Sequence, residues 1–289
     1  MLQYQQITEI SQEYLERKIA EFLDEDKANS DITTQLTVPD KMQSKANIES
    51  QEELVFVGKE IIKTIFKESK VEVFVNDGDC VQNGTILATV EGNSAYILSR
   101  ERVMLNLLQR LSGIATAAKK YSDVTKPFNV KILDTRKTTP GLRLFEKYAV
   151  CVGGASNHRF DLSSNILIKD NHISAAGGIK NVVKNIKEHN SANLQVELEV
   201  ATVKQLTTAL DLGIKGFLLD NMQPTLIKEC VDIIRSQPDG SDIFIEASGG
   251  ITYENLSDYA KTGVNAISIG ALTHRIKSAN IHLVFLDEL

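Results

Sequence analysis

From residue 127 onward the sequence alternates short apolar runs with amphipathic stretches, and that alternation constrains the fold more than any other feature of the chain. Strand-like runs lie at 130–133, 165–168, 194–200, 216–219, 243–247 and 266–269. Between them, residues 142–150, 179–189, 202–212, 224–236 and 253–262 repeat apolar side chains at helical spacing. Strands alternating with helices imply a parallel sheet with right-handed crossovers, either an open doubly wound sheet or a closed or nearly closed barrel. Where the polar residues fall distinguishes the two. Nearly every run ends in a reactive or anion-binding group: Arg136 and Lys137, Lys169, Glu199, Asp220, Ser248 with Gly249 and Gly250, and Gly270. Convergence from many strands onto one rim is the mark of a TIM-like barrel, whose site is built from the βα loops, whereas an open sheet concentrates its site in one crevice. The expected fold class is therefore α/β: a TIM-like barrel, complete or incomplete, preceded by an N-terminal α+β sandwich domain.

The earlier part of the chain reads differently. Apolar residues from Ile7 to Leu23 recur at helical spacing and predict an amphipathic helix. Strands are expected at 45–50 and 54–57, a short helix at 59–66, and then short strands at 71–75 and 85–90 punctuated by turns at Asn76-Asp77-Gly78-Asp79 and Asn83-Gly84. The segment DGDCVQNGTILATVEGN resembles the folded-over β unit of biotinyl and lipoyl carrier domains, but it lacks their Met-Lys pair and is read as a shared shape only. Ser99 followed by charged residues predicts the start of a long helix bridging two domains, with Arg102 and Arg110 solvated on pattern alone. Residues 280–286 read as a strand returning to the N-terminal sheet. The domains expected are 1–115 joined by 275–289, and 116–274.

Composition limits the partners. With 289 residues, 42% hydrophobic and 24% charged, the chain can bury a sizeable core. A net charge of −6 and a pI near 5.5 argue against a general nucleic-acid or anionic-membrane surface. No apolar run reaches the roughly 18 residues of a membrane span, and Met1 to Ser11 carries neither the basic start nor the apolar middle of a signal peptide, so the expectation is cytoplasmic. Cys80, Cys151 and Cys230 are an odd number at wide spacing, which suits neither a disulfide framework nor a CxxC metal site.

The rim therefore gathers cations (Arg136, Lys137, His158, Arg159, Lys169), two carboxylates (Glu199, Asp220) and two glycine loops, Ser248-Gly-Gly-Ile and Ile269-Gly-Ala-Leu. Such a set fits a phosphorylated sugar meeting a carboxylated partner. Loops free of side chains present backbone N–H groups to phosphate, and an Arg fork matches a planar carboxylate. The carboxylates suit Mg²⁺ or ribose hydroxyls, or a structural ion pair. An isolated His such as His158 is more often a hydrogen-bonded scaffold residue than an acid or base.

Eight segments in order resemble one family, nicotinate-nucleotide pyrophosphorylase (carboxylating), also called quinolinate phosphoribosyltransferase. They are ERxxLNLLQRLSGIAT from Glu101, LDTRKTTPGLRxxEKYAV from Leu133, GGxxNHR from Gly153, LIKDNHI from Leu167, ExE from Glu197, LLDNM from Leu218, EASGGI from Glu246 and IGALTH from Ile269. Two departures stand out: Ala155 where many members have a third glycine, and Asn29-Ser30-Asp31-Ile32-Thr33 where many have Gly-Asp-Ile-Thr. The resemblance implies a pentosyltransferase that moves phosphoribose from phosphoribosyl pyrophosphate (PRPP) to the ring nitrogen of quinolinate with decarboxylation, in NAD biosynthesis. It further implies that Arg136, Lys137, His158, Arg159 and Lys169 clamp the dicarboxylate, with Arg102 supplied by the partner subunit of a homodimer. By the same resemblance Glu199 and Asp220 hold Mg²⁺ and ribose hydroxyls, Ser248, Gly249, Gly250, Gly270 and His274 hold phosphates, and Lys137, Lys169, Glu199 and Asp220 form the catalytic set.

Four other readings compete. One is the molybdenum-transport-associated relative of the same fold, and a second is a nicotinate-using phosphoribosyltransferase of the same fold. Another is a barrel aldolase with Lys169 as Schiff-base nucleophile. The fourth is a non-enzymatic carrier module, suggested by the N-terminal β unit.

Overall fold

The computed structural model describes residues 2–286. Met1 and residues 287–289 lie outside the described residues. Close packing divides the chain into two compact units, one of residues 7–119, 139–154 and 275–286, the other of residues 2–6, 120–138 and 155–274.

The first unit is built on a four-stranded antiparallel sheet in the order Ile281–Phe285, Gln43–Ser50, Ile86–Asn93, Lys70–Val73. Its apolar side follows the two-residue strand period: Ala46 and Ile48 of one strand, Ala88 and Val90 of its neighbour, are fully buried. The turns at Gly78 and Gly84 have the positive φ that their Asn/Asp-Gly sequences call for. The first helix, Gln12–Glu25, begins later than the apolar spacing from Ile7 suggests, because the Ser11 hydroxyl accepts from the Tyr14 N–H and sets the start. A short helix, Ile32–Thr37, follows the departure at Asn29-Ser30, and Asp31 caps it by accepting from the Thr34 N–H at 3.1 Å.

The long helix, Ser94–Thr125, corrects the expectation that Ser99 opens it. Asn93 is the cap, its side-chain oxygen accepting from the Tyr96 N–H at 3.0 Å, while Ser99 lies inside the helix and donates to the Tyr96 carbonyl. Gly113 sits mid-helix, where glycine costs about 1 kcal/mol relative to alanine. A Cβ there would fall 2.4 Å from the Lys277 carbonyl oxygen, so its absence lets the chain run over the helix into the last strand. Residues of the helix up to Lys119 count with this unit, as does helix Arg143–Val152, which lies in sequence between two strands of the other.

Arg110, expected in solvent, is instead engaged. Its Nε and Nη2 donate to Glu146 Oε1 at 2.8 and 2.6 Å, and Nη2 also donates to Thr139 Oγ1 at 2.7 Å. Glu146 is fully buried, and its second oxygen accepts from the Thr139 N–H. Removing one partner of a buried pair strands the other charge, so Arg110→Ala is expected to cost about 3 kcal/mol, read as a lowered denaturant midpoint at unchanged slope. A variant as stable as the parent would mean that Glu146 is satisfied without Arg110.

The second unit is a parallel sheet of six strands in the order Lys131–Leu133, Ala266–Ser268, Phe244–Ser248, Gly216–Asp220, Val196–Val200, Ile166–Ile168. The first strand in sequence pairs with the last, and the rest follow in chain order. An open doubly wound sheet does not do this; a sheet curling back on itself does. Between the first strand and Ile166–Ile168 no ladder forms among the described residues, and only a bridge from Leu133 to Ser156 extends that edge. The barrel is therefore TIM-like and incomplete. Helices Ile179–His189, Val203–Asp211, Pro224–Arg235 and Leu256–Ala260 connect the strands, Thr202 capping the second and Pro224 opening the third as their residue types favour. Ala155, the second departure, is not among the residues of positive φ, so alanine is accommodated there without backbone strain. No described helix is long and apolar enough to cross a membrane.

Candidate active site

The two-residue period of the strands sorts polar side chains into layers. Glu197 and Glu199 lie on one face of Val196–Val200, Glu246 and Ser248 on one face of Phe244–Ser248, and Asp220 pairs in register with Ser248. The upper layer, at the C-terminal strand ends, holds Lys169, Glu199, Asp220 and Ser248.

Two of its cations stand against each other. Arg159 is buried, and that burial, then the neighbouring Arg136, hold its pKa below the ordinary value. Arg136 is half-buried, and its Nε is enclosed without a hydrogen-bond acceptor. Two guanidinium groups that disfavour each other's charge, one with a buried idle donor, are a pair that an anion would satisfy. Lys169, at the N-terminus of helix Asp170–Ala175, forms an ion pair with Glu199 across adjacent strands. Lys137 is exposed; a Cβ at Gly270 would stand 3.0 Å from its Cδ and 3.1 Å from His274 Nε2, so the missing side chain keeps these groups together.

Asp220 is half-buried and accepts from Asn221 Nδ2 at 2.7 Å. Asn221 has positive φ, and its N–H donates to the Ser248 carbonyl. A Cβ on Gly249, φ +90°, would fall 2.2 Å from Asn221 Oδ1. Glycine is thus required twice over at that position, by conformation and by space, and Gly250 beside it is exposed with positive φ. Arg102 belongs to the first unit and is exposed on helix Ser94–Thr125.

Beneath lies a layer, Asp134, His158, Glu197 and Glu246, whose residues stand in the quoted motifs but, His158 apart, carried no expected role. Asp134, fully buried, accepts from the His158 N–H at 2.8 Å and from Asn157 Nδ2 at 2.7 Å, holding the 157–159 loop. The His158 ring is turned inward: Nδ1 accepts from the Arg159 N–H at 2.7 Å, and Nε2 faces Glu197 Oε2 at 3.2 Å and Glu246 Oε2 at 3.6 Å. Burial opposes a charge on this ring, and Glu246, Glu197 and Asp134 outweigh it and favour protonation. The Arg159 N–H needs the Nδ1 lone pair, however, so the geometry favours the neutral ring with its proton on Nε2. By strand period Glu197, two residues from Glu199, shares its face.

Glu246 is fully buried, and neither oxygen meets a donor in good geometry, although the Ser268 hydroxyl is near enough to favour its charged form. Burial, then Glu197, push its pKa from the ordinary 4.5 up to about 8. The folded chain thus keeps a proton that the unfolded chain releases. The stability this contributes is full below about pH 4.5 and declines as pH rises toward 8, by up to about 1.4 kcal/mol per pH unit. Glu246→Gln should flatten that part of the stability–pH curve. Parallel curves for variant and parent would contradict it.

Similar proteins fit this arrangement. Residues 31–112 match the family model for the quinolinate phosphoribosyl transferase N-terminal domain, and residues 114–284 the model for the C-terminal domain. A Nicotiana tabacum protein named quinolinate phosphoribosyltransferase [decarboxylating] 2b, mitochondrial, is 40% identical over 290 residues, covering 92% of this chain and 81% of its own. A Bacillus subtilis protein named probable nicotinate-nucleotide pyrophosphorylase [carboxylating] is 40% identical over 273 residues, covering 93% and 92%. The solved nicotinate-nucleotide pyrophosphorylase from Francisella tularensis superposes with a TM-score of 0.90 at 34% identity, over 98% of this chain and all of that one. Agreement along both domains favours neither the carrier nor the Schiff-base reading, and with the cationic rim and the layered barrel in one frame, the chain belongs to the quinolinate phosphoribosyl transferase family.

Proposed function

We propose that the protein transfers phosphoribose from PRPP to the nitrogen of quinolinate and releases the 2-carboxylate as CO₂, giving nicotinate mononucleotide and pyrophosphate. The observation that carries this reading is the pair Arg136 and Arg159, near enough for one to disfavour the charge on the other, with the Arg136 Nε buried and unpartnered. They, with Lys137 and Lys169, hold the dicarboxylate, and His158 supports them from below through the Arg159 N–H. Ser248, Gly249, Gly250, Gly270 and His274 take the phosphates. Catalysis then rests on position and charge. Carboxylates near the sugar carbon stabilise the cation left as pyrophosphate departs; the ring nitrogen bonds to that carbon, and the resulting pyridinium accepts the electron pair when the C2–carboxylate bond breaks. A proton completes C2.

Glu199 and Asp220 offer oxygen donors only, half-buried on neighbouring strands, and so fit Mg²⁺, which prefers oxygen and bridges one or two carboxylates to substrate phosphates. Bound there, it would neutralise charge on the pyrophosphate. Among the described residues the group of three metal-capable side chains is a different one, His158, Glu197 and Glu246. It is buried, includes an imidazole and has the Tyr4 hydroxyl in its midst, so it fits a phosphate-bridging Mg²⁺ poorly.

The working assembly in this reading is a homodimer in which Arg102 completes the partner's site. In this reading the compartment is the cytoplasm, which suits three cysteines that lie outside any disulfide among the described residues. Incubation with quinolinate, PRPP and Mg²⁺ should yield nicotinate mononucleotide by mass spectrometry; formation of the same product from PRPP and nicotinate in place of quinolinate would point to a different member of the wider fold.

Lys169 acts by binding. Its ammonium is paired with Glu199, whereas a Schiff-base lysine must present a neutral amine. Lys169→Arg should retain measurable quinolinate binding. Borohydride trapping of an imine on Lys169 in the parent protein would contradict this.

A further inference from the structure

Residues 2–6 run across the N-terminal strand ends of the second unit, opposite the rim. The Gln3 N–H donates to Gln195 Oε1 at 2.7 Å, and Asn165 Nδ2 donates to the Gln3 carbonyl at 3.1 Å. Gln6 and Asn157 bond reciprocally: the Asn157 N–H donates to Gln6 Oε1 at 2.7 Å, and Gln6 Nε2 donates to the Asn157 carbonyl at 3.2 Å. Leu2 and Tyr4 pack on the cluster of Leu133, Phe244 and Ala266, and a Cβ at Gly216 would come within 3.1 Å of Leu2 Cδ1. From this anchored segment the Tyr4 side chain rises into the middle layer. Its ring stacks on His158 with centroids 4.2 Å apart and planes 26° apart. Its hydroxyl donates to Glu197 Oε2 at 2.5 Å and lies 3.1 Å from His158 Nε2.

We propose that Tyr4 is a positioning residue for the quinolinate half of the active site, acting through the Glu197–His158–Arg159 chain; this rests on the site reading above. The physical sequence has four links. The Gln3 and Gln6 contacts fix Tyr4. Tyr4 covers one face of the His158 ring and shares Glu197 Oε2 with it, which sets the ring's tilt and leaves Nε2 carrying the proton. Nδ1 then holds the Arg159 N–H. Arg136 is near enough to disfavour the charge on Arg159, so a shift of the Arg159 backbone with the imidazole changes how the two guanidiniums meet a ligand. The phosphate side is reached by none of these contacts: Asp220 and the glycine loop are bonded through Asn221 and the Ser248 carbonyl instead. A change at Tyr4 should therefore separate the two substrates kinetically.

Steady-state kinetics with each substrate varied test this, on the parent, Tyr4→Phe, Tyr4→Ala and Arg159→Ala. Tyr4→Phe keeps the ring and removes the shared hydroxyl. It should raise the quinolinate KM about tenfold, leave the PRPP KM within about twofold, and shift the thermal midpoint by only a few degrees. Tyr4→Ala should raise the quinolinate KM further in the same one-sided way; if it fails to fold, Tyr4→Phe alone carries the test. An unchanged quinolinate KM in the phenylalanine variant, whatever happens to kcat, or parallel rises for both substrates, would overturn the proposal. Arg159→Ala separates the two levels. If it raises the quinolinate KM while Tyr4→Phe does not, the positioning role falls and the site reading stands; if Arg159→Ala leaves that KM unchanged, both fall.

Discussion

Arg102→Ala and Arg136→Ala chains, each at least about 1000-fold less active than the parent, should recover about a quarter of parental activity when unfolded together and refolded as an equal mixture. The arithmetic follows from a two-fold dimer whose sites each take Arg102 from one chain and the remainder from the other. Random pairing makes about half of the dimers mixed. In each mixed dimer one site inherits both defects and the other inherits neither, so half of one half is restored. The motive is chain geometry: between Arg102 and the helix end at Thr125 the axis runs about 35 Å at 1.5 Å per residue. The exposed Arg102 lies on the part of that helix that counts with the unit lacking the parallel strands. Heterodimers that form but stay as inactive as either parent would show that Arg102 acts in cis or not at all.

Asp220→Asn should weaken PRPP binding in the presence of Mg²⁺ by about 100- to 1000-fold and quinolinate binding by less than about threefold. The substitution keeps shape and removes a negative charge beside the Gly249–Gly250 loop, while the Arg136–Arg159 receptor is on other strand ends. Because Asn221 already donates to Asp220, an amide in its place can turn its carbonyl to the same donor, so local structure should survive. Calorimetry on each ligand separately reads the division directly. Equal losses for both would mean that the two halves of the site are not independent.

Much of the fold was legible because strand and helix periods differ and the barrel repeats them. All six parallel strands were anticipated to within two residues, since each is a short apolar run closed by a polar residue at its rim end. The helix that begins at Asn93 was not, because two capping residues, Asn93 and Ser99, stand six apart and either one fits the rules; only the Tyr96 N–H donating to Asn93 decides between them. Arg110 escaped for a related reason. A helical arginine reads as solvated unless its acceptor is known, and Glu146 is 36 positions away in sequence.

The upper layer of the site was legible through motifs and strand ends. The layer beneath was legible only as letters within motifs, not as contacts. Glu246 lies within an apolar strand where a carboxylate has no local signature, and Tyr4 stands in a polar N-terminal stretch whose destination, 154 positions away at His158, no periodicity encodes. His158 itself was read as a choice between clamp and scaffold. Its inward ring, engaged at both nitrogens, gives it the scaffold's contacts one peptide bond from Arg159.

The most direct test of the central claim is the fate of labelled carboxylates. With quinolinate labelled at the 2-carboxylate, one labelled CO₂ should appear for each PRPP consumed, and with the 3-carboxylate labelled the label should stay in nicotinate mononucleotide. Release from the 3-position, release without PRPP, or product formed with the 2-carboxylate retained would contradict the account.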